Sequence, residues 1–371
     1  MIKYLLIVCA LLLPVVVFSA PNVTGTSGTL SHGESVTITG TGFGSKSPAA
    51  PHVWDTLEDG SCDTTATVGT WGDADGYPNG SLVISSSNAR HANSTYCASG
   101  TFDVIGETIA FAANTSSSTW YVQYWIYLDS EFSWGNKNVK LFRLWDTSYD
   151  ENLRIQSYNN VDIVVENCDT GHGGFYWGAC PPSPSGGWWP VVPGGTCADA
   201  VFGHTCNCGE IIAGSLDWSY FQTDFSKGTW HLMQFEFRDG DPSAANGYLK
   251  WWVDGRLVFH HEDITTRTTS RAKYAYQIGF FRDSTSDGSG SIFIDDAYAD
   301  TTWSRVEIGN AATYAACTHR EIQPPTSWAD GSITITFNQG SFSAEDTAYV
   351  YVVDSTGAVN SSGYEITIGG S

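Results

Sequence analysis

Positive charge is what this chain has least of. Its 371 residues carry 17 Lys and Arg against 39 Asp and Glu, for a formal charge of −22. Nucleic acids and anionic membranes are held by clustered cations, so neither is expected as a partner. An anionic glycan would need a local Arg/Lys patch, or bound cations, to offset the field. Long apolar runs are equally scarce: beyond the first 20 residues none reaches the length of a membrane span, so no membrane-inserted helix is expected. A Gly-x-Ser-x-Gly nucleophile elbow, a phosphate-binding loop and a nucleotide fingerprint are missing too, and with them the chemistries those motifs mark. No internal repeat, heptad or long low-complexity tract stands out.

What the chain does have begins with an export signal. Lys3, the apolar run from Tyr4 to Phe18 and the small residues Ser19 and Ala20 make a secretory signal peptide of residues 1–20. The remainder is expected to be secreted and extracellular. Of nine cysteines, Cys9 lies inside the apolar run. The other eight, Cys62, Cys97, Cys168, Cys180, Cys197, Cys206, Cys208 and Cys317, are an even set suited to disulfides in an oxidising compartment. Five of them fall in a Gly- and Pro-rich loop, residues 168–214. Cys168 with Cys180 and Cys62 with Cys97 are candidate pairs, and spacing leaves the connectivity open. His204, Cys206 and Cys208 lack the Cys-x-x-Cys pair of a structural zinc site.

From Trp230 to Trp303, four runs rich in aromatic and β-branched residues alternate with Gly, Asp, Asn and Ser turns, the pattern of consecutive antiparallel strands. Asp254-Gly255 supplies the positive φ that a tight hairpin turn needs. Upstream, WYVQYWIYLD, NVKLFRLWD and NLRIQSY read as three further strands. The order Trp230, Gly247, Trp252, Asp254, Gly255, followed by Phe293-Ile294-Asp295-Asp296, resembles the concanavalin A-like lectin/glucanase sandwiches, which include laminin G modules and jelly-roll polysaccharide lyases. The resemblance implies an all-β, jelly-roll sandwich over residues 51–303. On either side the chain is similar to an IPT/TIG domain, a small immunoglobulin-like sandwich. Gly40-Thr41-Gly42-Phe43-Gly44 marks its opening, and Trp328-Ala329-Asp330-Gly331-Ser332-Ile333 its middle. Residues 21–50 would supply its first strands and 304–371 the rest, with the large sandwich inserted at the exposed turn Gly44 to Ala50. Two separate modules, one on each flank, are the alternative.

The candidate site residues follow from strand alternation. In the first of the three upstream strands Tyr121, Gln123, Trp125 and Tyr127 share one face, a mixture of polar and aromatic groups expected of a ligand-facing sheet; Tyr121, Gln123 and Trp125 are the ligand candidates. The chain's 15 Trp and 18 Tyr exceed what a core of this size needs, and Tyr176, Trp177, Trp188 and Trp189 in the Cys-rich loop are candidates for a sugar-stacking platform. Arg154, Gln156 and Tyr158 alternate on one face of the third strand, in the same region as Arg143. Lyases of the resembled fold need side chains of these kinds, a neutraliser for a uronate carboxylate and a Tyr or His for acid–base work. A hydrolase would need two carboxylates, for which Glu236 and Asp254 are candidates. Glu58, Asp59 and Asp296, from the two ends of the large sandwich, are candidate ligands of a structural calcium ion, with only one of the adjacent Asp295 and Asp296 able to take part. Asn22, Asn79, Asn93, Asn114 and Asn360 begin glycosylation sequons.

Three functions fit: a secreted carbohydrate-binding or adhesion protein whose partner is a glycan, a polysaccharide lyase or hydrolase, and a structural surface or filament component with a protein partner. Fold resemblance does not choose among them.

Overall fold

The computed structural model of the protein describes residues 19–62, 65–72, 83–101, 108–132, 139–146, 151–158, 162–169, 175–177, 196–198, 205–208, 226–264, 266–267, 270–282 and 290–370. Their regular structure is strand, apart from one 3-10 turn at Tyr314–Ala316. In chain order the strands are β1 (Asn22–Ser27), β2 (Ser35–Thr41), β3 (Val53–Asp55), β4 (Val68–Gly69), β5 (Val83–Ser85), β6 (Cys97–Thr101), β7 (Thr108–Ser117) and β8 (Thr119–Leu128). Then come β9 (Val139–Trp145), β10 (Glu151–Tyr158), β11 (Asp162–Asp169), β12 (Phe175–Trp177), β13 (Thr196–Ala198), β14 (Thr205–Cys208), β15 (Trp230–Arg238), β16 (Gly247–Val253), β17 (Arg256–Ile264), β18 (Lys273–Arg282) and β19 (Ser291–Asp300). The chain closes with β20 (Arg305–Gly309), β21 (Arg320–Gln323), β22 (Pro325–Ala329), β23 (Ser332–Thr336), β24 (Thr347–Val353) and β25 (Tyr364–Thr367).

Alternation decides what each strand buries. Trp120, Val122, Tyr124, Ile126 and Leu128 of β8 point into one core, and Met233, Phe235 and Phe237 of β15 join them. These strands belong to a nine-stranded sheet, ordered β17-β16-β15-β8-β19-β3-β4 with β6 beside β19 and β5 beside β6. Phe142, Leu144 and Ile278 reach the same core from an eight-stranded sheet, ordered β13-β14-β12-β11-β10-β9-β18-β7. Phe142 of one sheet stacks on Phe235 of the other, with ring centroids 4.2 Å apart. The two sheets therefore form a jelly-roll β-sandwich, as the resemblance to concanavalin A-like sandwiches implies. Its Asp254-Gly255 hairpin has the expected positive φ angles of 48° and 74°.

A smaller sandwich stands beside it. One of its sheets runs β1-β2-β23-β22 and the other β21-β20-β24-β25. Val36 and Ile38 of β2 share a core with Ile333 and Ile335 of β23, Val306 and Ile308 of β20, and Val350 and Val352 of β24. Pairing of β2 with β23 puts Val36 opposite Ile335.

Where the two sandwiches meet, the outward face of the nine-stranded sheet is covered. Tyr121, Tyr248 and Tyr298 of the large sandwich pack with Trp303 and with Ile322 of β21. The hairpin tip seats here too: a Cβ on Gly255 would lie 1.9 Å from the Cys317 carbonyl oxygen.

Candidate functional site

The covered face is built from charge. Arg305 and Glu307 alternate on β20, and Arg320 and Glu321 adjoin on β21, all buried. Arg305 pairs with Glu236 Oε1 of β15 at 3.0 Å and lies over the Tyr121 ring at 3.9 Å. Glu307 accepts from Gln234 Nε2 at 2.7 Å and from the Tyr314 hydroxyl at 2.6 Å. Arg320 donates to Gln234 Oε1. Tyr121 donates to Gln123 Oε1 at 2.7 Å. A second group centres on Arg90, whose guanidinium donates twice to Glu321, at 2.8 and 2.9 Å, and also to Asp296. It sits 4.3 Å from the Trp125 ring centroid, and His319 packs 5.2 Å from the same ring. Lys46, just after β2, pairs with Asp300 at 2.7 Å.

This arrangement corrects three candidates. Tyr121, Gln123 and Trp125 are aligned on one face, but that face is buried beneath the smaller sandwich and is not presented to a glycan. Burial pushes the carboxyls of Glu307, Glu321 and Asp296 up. The arginines around them outweigh it, Arg305 and Arg320 at Glu307 and Arg90 at the other two, so all three are held below the usual carboxylate range.

The acids at the two ends of the large sandwich divide differently from the expectation. Asp296 has φ 47° at a β-bulge, which breaks strict alternation. It turns to Arg90 and to His91, whose Nε2 lies 3.3 Å away. The acid that comes near Glu58 is Asp295: the Ser94 hydroxyl lies 3.1 Å from Glu58 Oε1 and 3.1 Å from Asp295 Oδ2. Both Glu58 oxygens accept from the Thr95 backbone N–H at 2.9 Å. Burial, then the neighbouring Asp296, drives the Asp295 carboxyl well up. Asp59 caps its own turn through the Ser61 N–H. Glu58, Asp59 and Asp296 thus form no calcium cage; among the described residues no group of three or more His, Cys, Asp or Glu side chains is placed to hold a metal.

The carboxylate pair is also separated. Asp254 sits in the hairpin turn, bonded to His231 Nδ1 at 2.7 Å and to the Leu232 N–H at 2.8 Å. Glu236 lies four residues farther along β15, roughly 13 Å at the strand rise, and beyond the separations glycosidases use. Among the cysteines, the buried Cys317 is a free thiol 3.4 Å from the Thr313 carbonyl and takes no part in a disulfide. Cys97 is a thiol as well, pushed up to about 12 by burial, then by Asp295, with Cys62 also raising it. Cys197 and Cys206 stand opposite each other in the β13–β14 register, and Tyr176 stands opposite Cys208. Cys168 lies on β11, opposite Asn152. Cys180, Trp188, Trp189, His204 and Asn79 lie outside the described residues. Asn360 is buried, with its amide donating to the Val350 and Ser362 carbonyls, so its sequon is not a glycan acceptor in the folded chain.

The remaining candidates come together on the eight-stranded sheet. Phe142 and Leu144 face the core, so Arg143 between them is on the outward face. Arg143 stands opposite Arg154 on one side and Gln277 on the other. Arg154 in turn opposes Glu166, and Glu166 opposes Tyr176. Opposed residues share a face, so Gln277, Arg143, Arg154, Glu166 and Tyr176 form one row across β18, β9, β10, β11 and β12, spanning roughly 19 Å at the usual strand spacing. Lys140 and Gln156 are opposite each other beyond a bulge, and Tyr158 closes the strand opposite Asp162. Trp177 is in register with Val165, hence with Ile155 and Phe142, on the core-side face; it shares no face with Tyr176. Gln277 and Glu166 escaped the sequence reading, because strand pairing alone brings them beside the arginines.

No family model matches this chain, and no curated protein matches it significantly. Similar solved structures include cellulose-induced protein Cip1, at 14 % identity over 67 % of this chain and 97 % of that one, with a TM-score of 0.40. An endo-β-1,4-glucuronan lyase from the fungus Trichoderma reesei is 11 % identical over 63 % of this chain and 92 % of its own, with a TM-score of 0.37. Alginate lyase vAL-1 from Chlorella virus is 8 % identical over 59 % and 88 %, with a TM-score of 0.38.

Proposed function

We propose that the protein is an exported carbohydrate-binding protein that takes an acidic polysaccharide across the outward face of the eight-stranded sheet. The row of Gln277, Arg143, Arg154, Glu166 and Tyr176 is the observation that carries the reading. In a chain with 17 cations, placement is informative. Lys46, Arg90, Arg305 and Arg320 lie buried beneath the smaller sandwich; Arg143 and Arg154 share this row by register, and Lys140 lies one step from it. A guanidinium matches a sugar carboxylate with two parallel hydrogen bonds, and successive carboxylates along a uronate chain suit a row several strands wide.

A second reading is β-elimination on the same face, supported by the alternation of Arg154, Gln156 and Tyr158. Arg154 and Gln156 would hold the uronate carboxyl group, making the adjoining C–H more acidic. Tyr158, as its phenolate, would take that proton and pass it to the departing glycosidic oxygen as the C–O bond breaks, leaving an unsaturated uronate.

Calorimetric titration of the mature protein with polyuronates, while ultraviolet absorbance is followed, tests both readings. Binding is expected, weakened at least tenfold, about 1.4 kcal/mol, in R143A/R154A. A rise in absorbance that Y158F abolishes would add the elimination. Absence of binding, or an affinity indifferent to both arginines, would sink the proposal and leave a structural surface role.

A further inference from the structure

We infer a second carbohydrate contact, for a neutral glycan, at the uncovered end of the nine-stranded sheet. The outward stripe of β8 is Tyr121, Gln123, Trp125 and Tyr127. Its first three members lie under the smaller sandwich, and Tyr127 is only half-buried. Tyr127 stands opposite Trp230 of β15 and Phe293 of β19, and both ring pairs have centroids 5.6 Å apart. The row continues through Ser99 of β6 to Val83 of β5, which is 61 % exposed.

Trp303 and Tyr314, packed where the two sandwiches meet, have used up their polar atoms. Trp303 Nε1 donates to the carbonyls of Trp120 and Phe237, and the Tyr314 hydroxyl donates to Glu307. Tyr127 and Trp230 differ. Each residue is half-buried rather than buried, and neither the Tyr127 hydroxyl nor Trp230 Nε1 has a hydrogen-bond partner among the described residues. A ring with an apolar face and an unspent polar handle is what a pyranose uses, its C–H face on the ring and a hydroxyl on the handle. The planes of Tyr127 and Trp230 are inclined by 52°, so the pair offers a shallow corner, with Phe293 as its floor. Gly228 lies alongside: with φ 79°, a Cβ there would stand 3.9 Å from the Tyr127 hydroxyl.

Charge selects the class of sugar. Asp129 follows β8 two residues beyond Tyr127, and the exposed Glu131 comes next but one. Among the described residues the neighbouring cation is the exposed Lys227, whose ammonium donates to the Phe132 carbonyl at 2.9 Å, one charge against two carboxylates. An acidic rim repels carboxylated sugars and tolerates neutral ones, the reverse of the arginine row on the opposite sheet. The two contacts are therefore independent, and one chain carrying both could bridge an acidic and a neutral polysaccharide.

Calorimetry on the mature protein with β-1,4-linked glucose, mannose and galactose hexasaccharides provides the test. At least one is expected to bind, with affinity reduced tenfold or more in W230A, severalfold in Y127F and not at all in R143A/R154A. If W230A fails to fold by circular dichroism, Y127F, which keeps the ring, is the deciding variant. Failure of all three hexasaccharides to bind, affinity unchanged in the folded variants, or loss in R143A/R154A would overturn the inference.

Discussion

On the nine-stranded sheet Tyr121, Gln123 and Trp125 of β8 lie under the smaller sandwich, whereas on the eight-stranded sheet the outward residues of β9 and β10 carry cations on a face turned from the same core. Both sets mix polar with aromatic groups, and both contain the Gln and Tyr that can bind sugars. What separates them is the partner. Gln234 is completed by Glu307 and Arg320 from the smaller sandwich, while Arg154 stands between Arg143 and Glu166 in the register of its own sheet. Mixed polar and aromatic alternation marks a face that meets something other than a hydrocarbon core. It does not say whether that something is a ligand or another domain.

The largest effect expected from breaking this comparison is at Arg90. Its side chain is buried between Asp296 and Glu321, so R90M leaves two carboxylates without their cation in a dry layer. A cost of roughly 3–5 kcal/mol is expected, read by chemical denaturation. Adding D296N and E321Q to R90M should restore part of it by removing the stranded charges. A loss below about 1 kcal/mol would mean that the layer is wet and that the covered face is less closed than its hydrogen bonds indicate.

Acid gives the next effect. Glu307, Glu321 and Asp296 are held below the ordinary range by their arginines, against burial. Groups with depressed folded values stabilise the fold fully above their unfolded pKa, about 4. That contribution is lost as pH falls through the folded values beneath it. Asp295 and Asp300 run the other way: burial raises both, so they oppose folding at neutral pH and take up protons first. Denaturation midpoints should therefore hold, or rise slightly, down to about pH 4 and drop below it. A midpoint already falling between pH 7 and 5 would contradict the assignment of the ion pairs as the controlling groups.

The same contrast explains what the sequence made legible. The all-β class, the Asp254-Gly255 hairpin and the strand that carries Arg154, Gln156 and Tyr158 are local signals, set by alternation and turn chemistry. The covered face was not legible, because Gln234 is satisfied by Glu307, 73 residues away, and Arg90 by Glu321, 231 residues away. A signal was present in hindsight: Arg305-x-Glu307 and Arg320-Glu321 put opposite charges into strands whose neighbours are apolar, as a buried ionic layer requires. Asp296 misled for a different reason. Its bulge changes which side of the strand an acid faces, and nothing in Asp295-Asp296 distinguishes a bulged pair from a regular one. Gln277 and Glu166 needed register, which alternation within one strand cannot supply.

Trp125 offers the finest distinction. Its face and residue type mark it as a ligand candidate, yet it stands between Arg90 and His319, with its indole N–H buried and unpartnered. W125F keeps an aromatic surface beneath Arg90, removes that orphaned donor, and loses ring area and part of the cation–π attraction. The net destabilisation should be modest, roughly 1–2 kcal/mol, because the relieved donor offsets some of the lost packing. Affinity for polyuronate and for neutral hexasaccharides should stay within twofold, since neither the arginine row nor the Tyr127–Trp230 corner is touched. A tenfold loss of affinity with unchanged stability would make the covered face a binding face, as its residue types alone had implied.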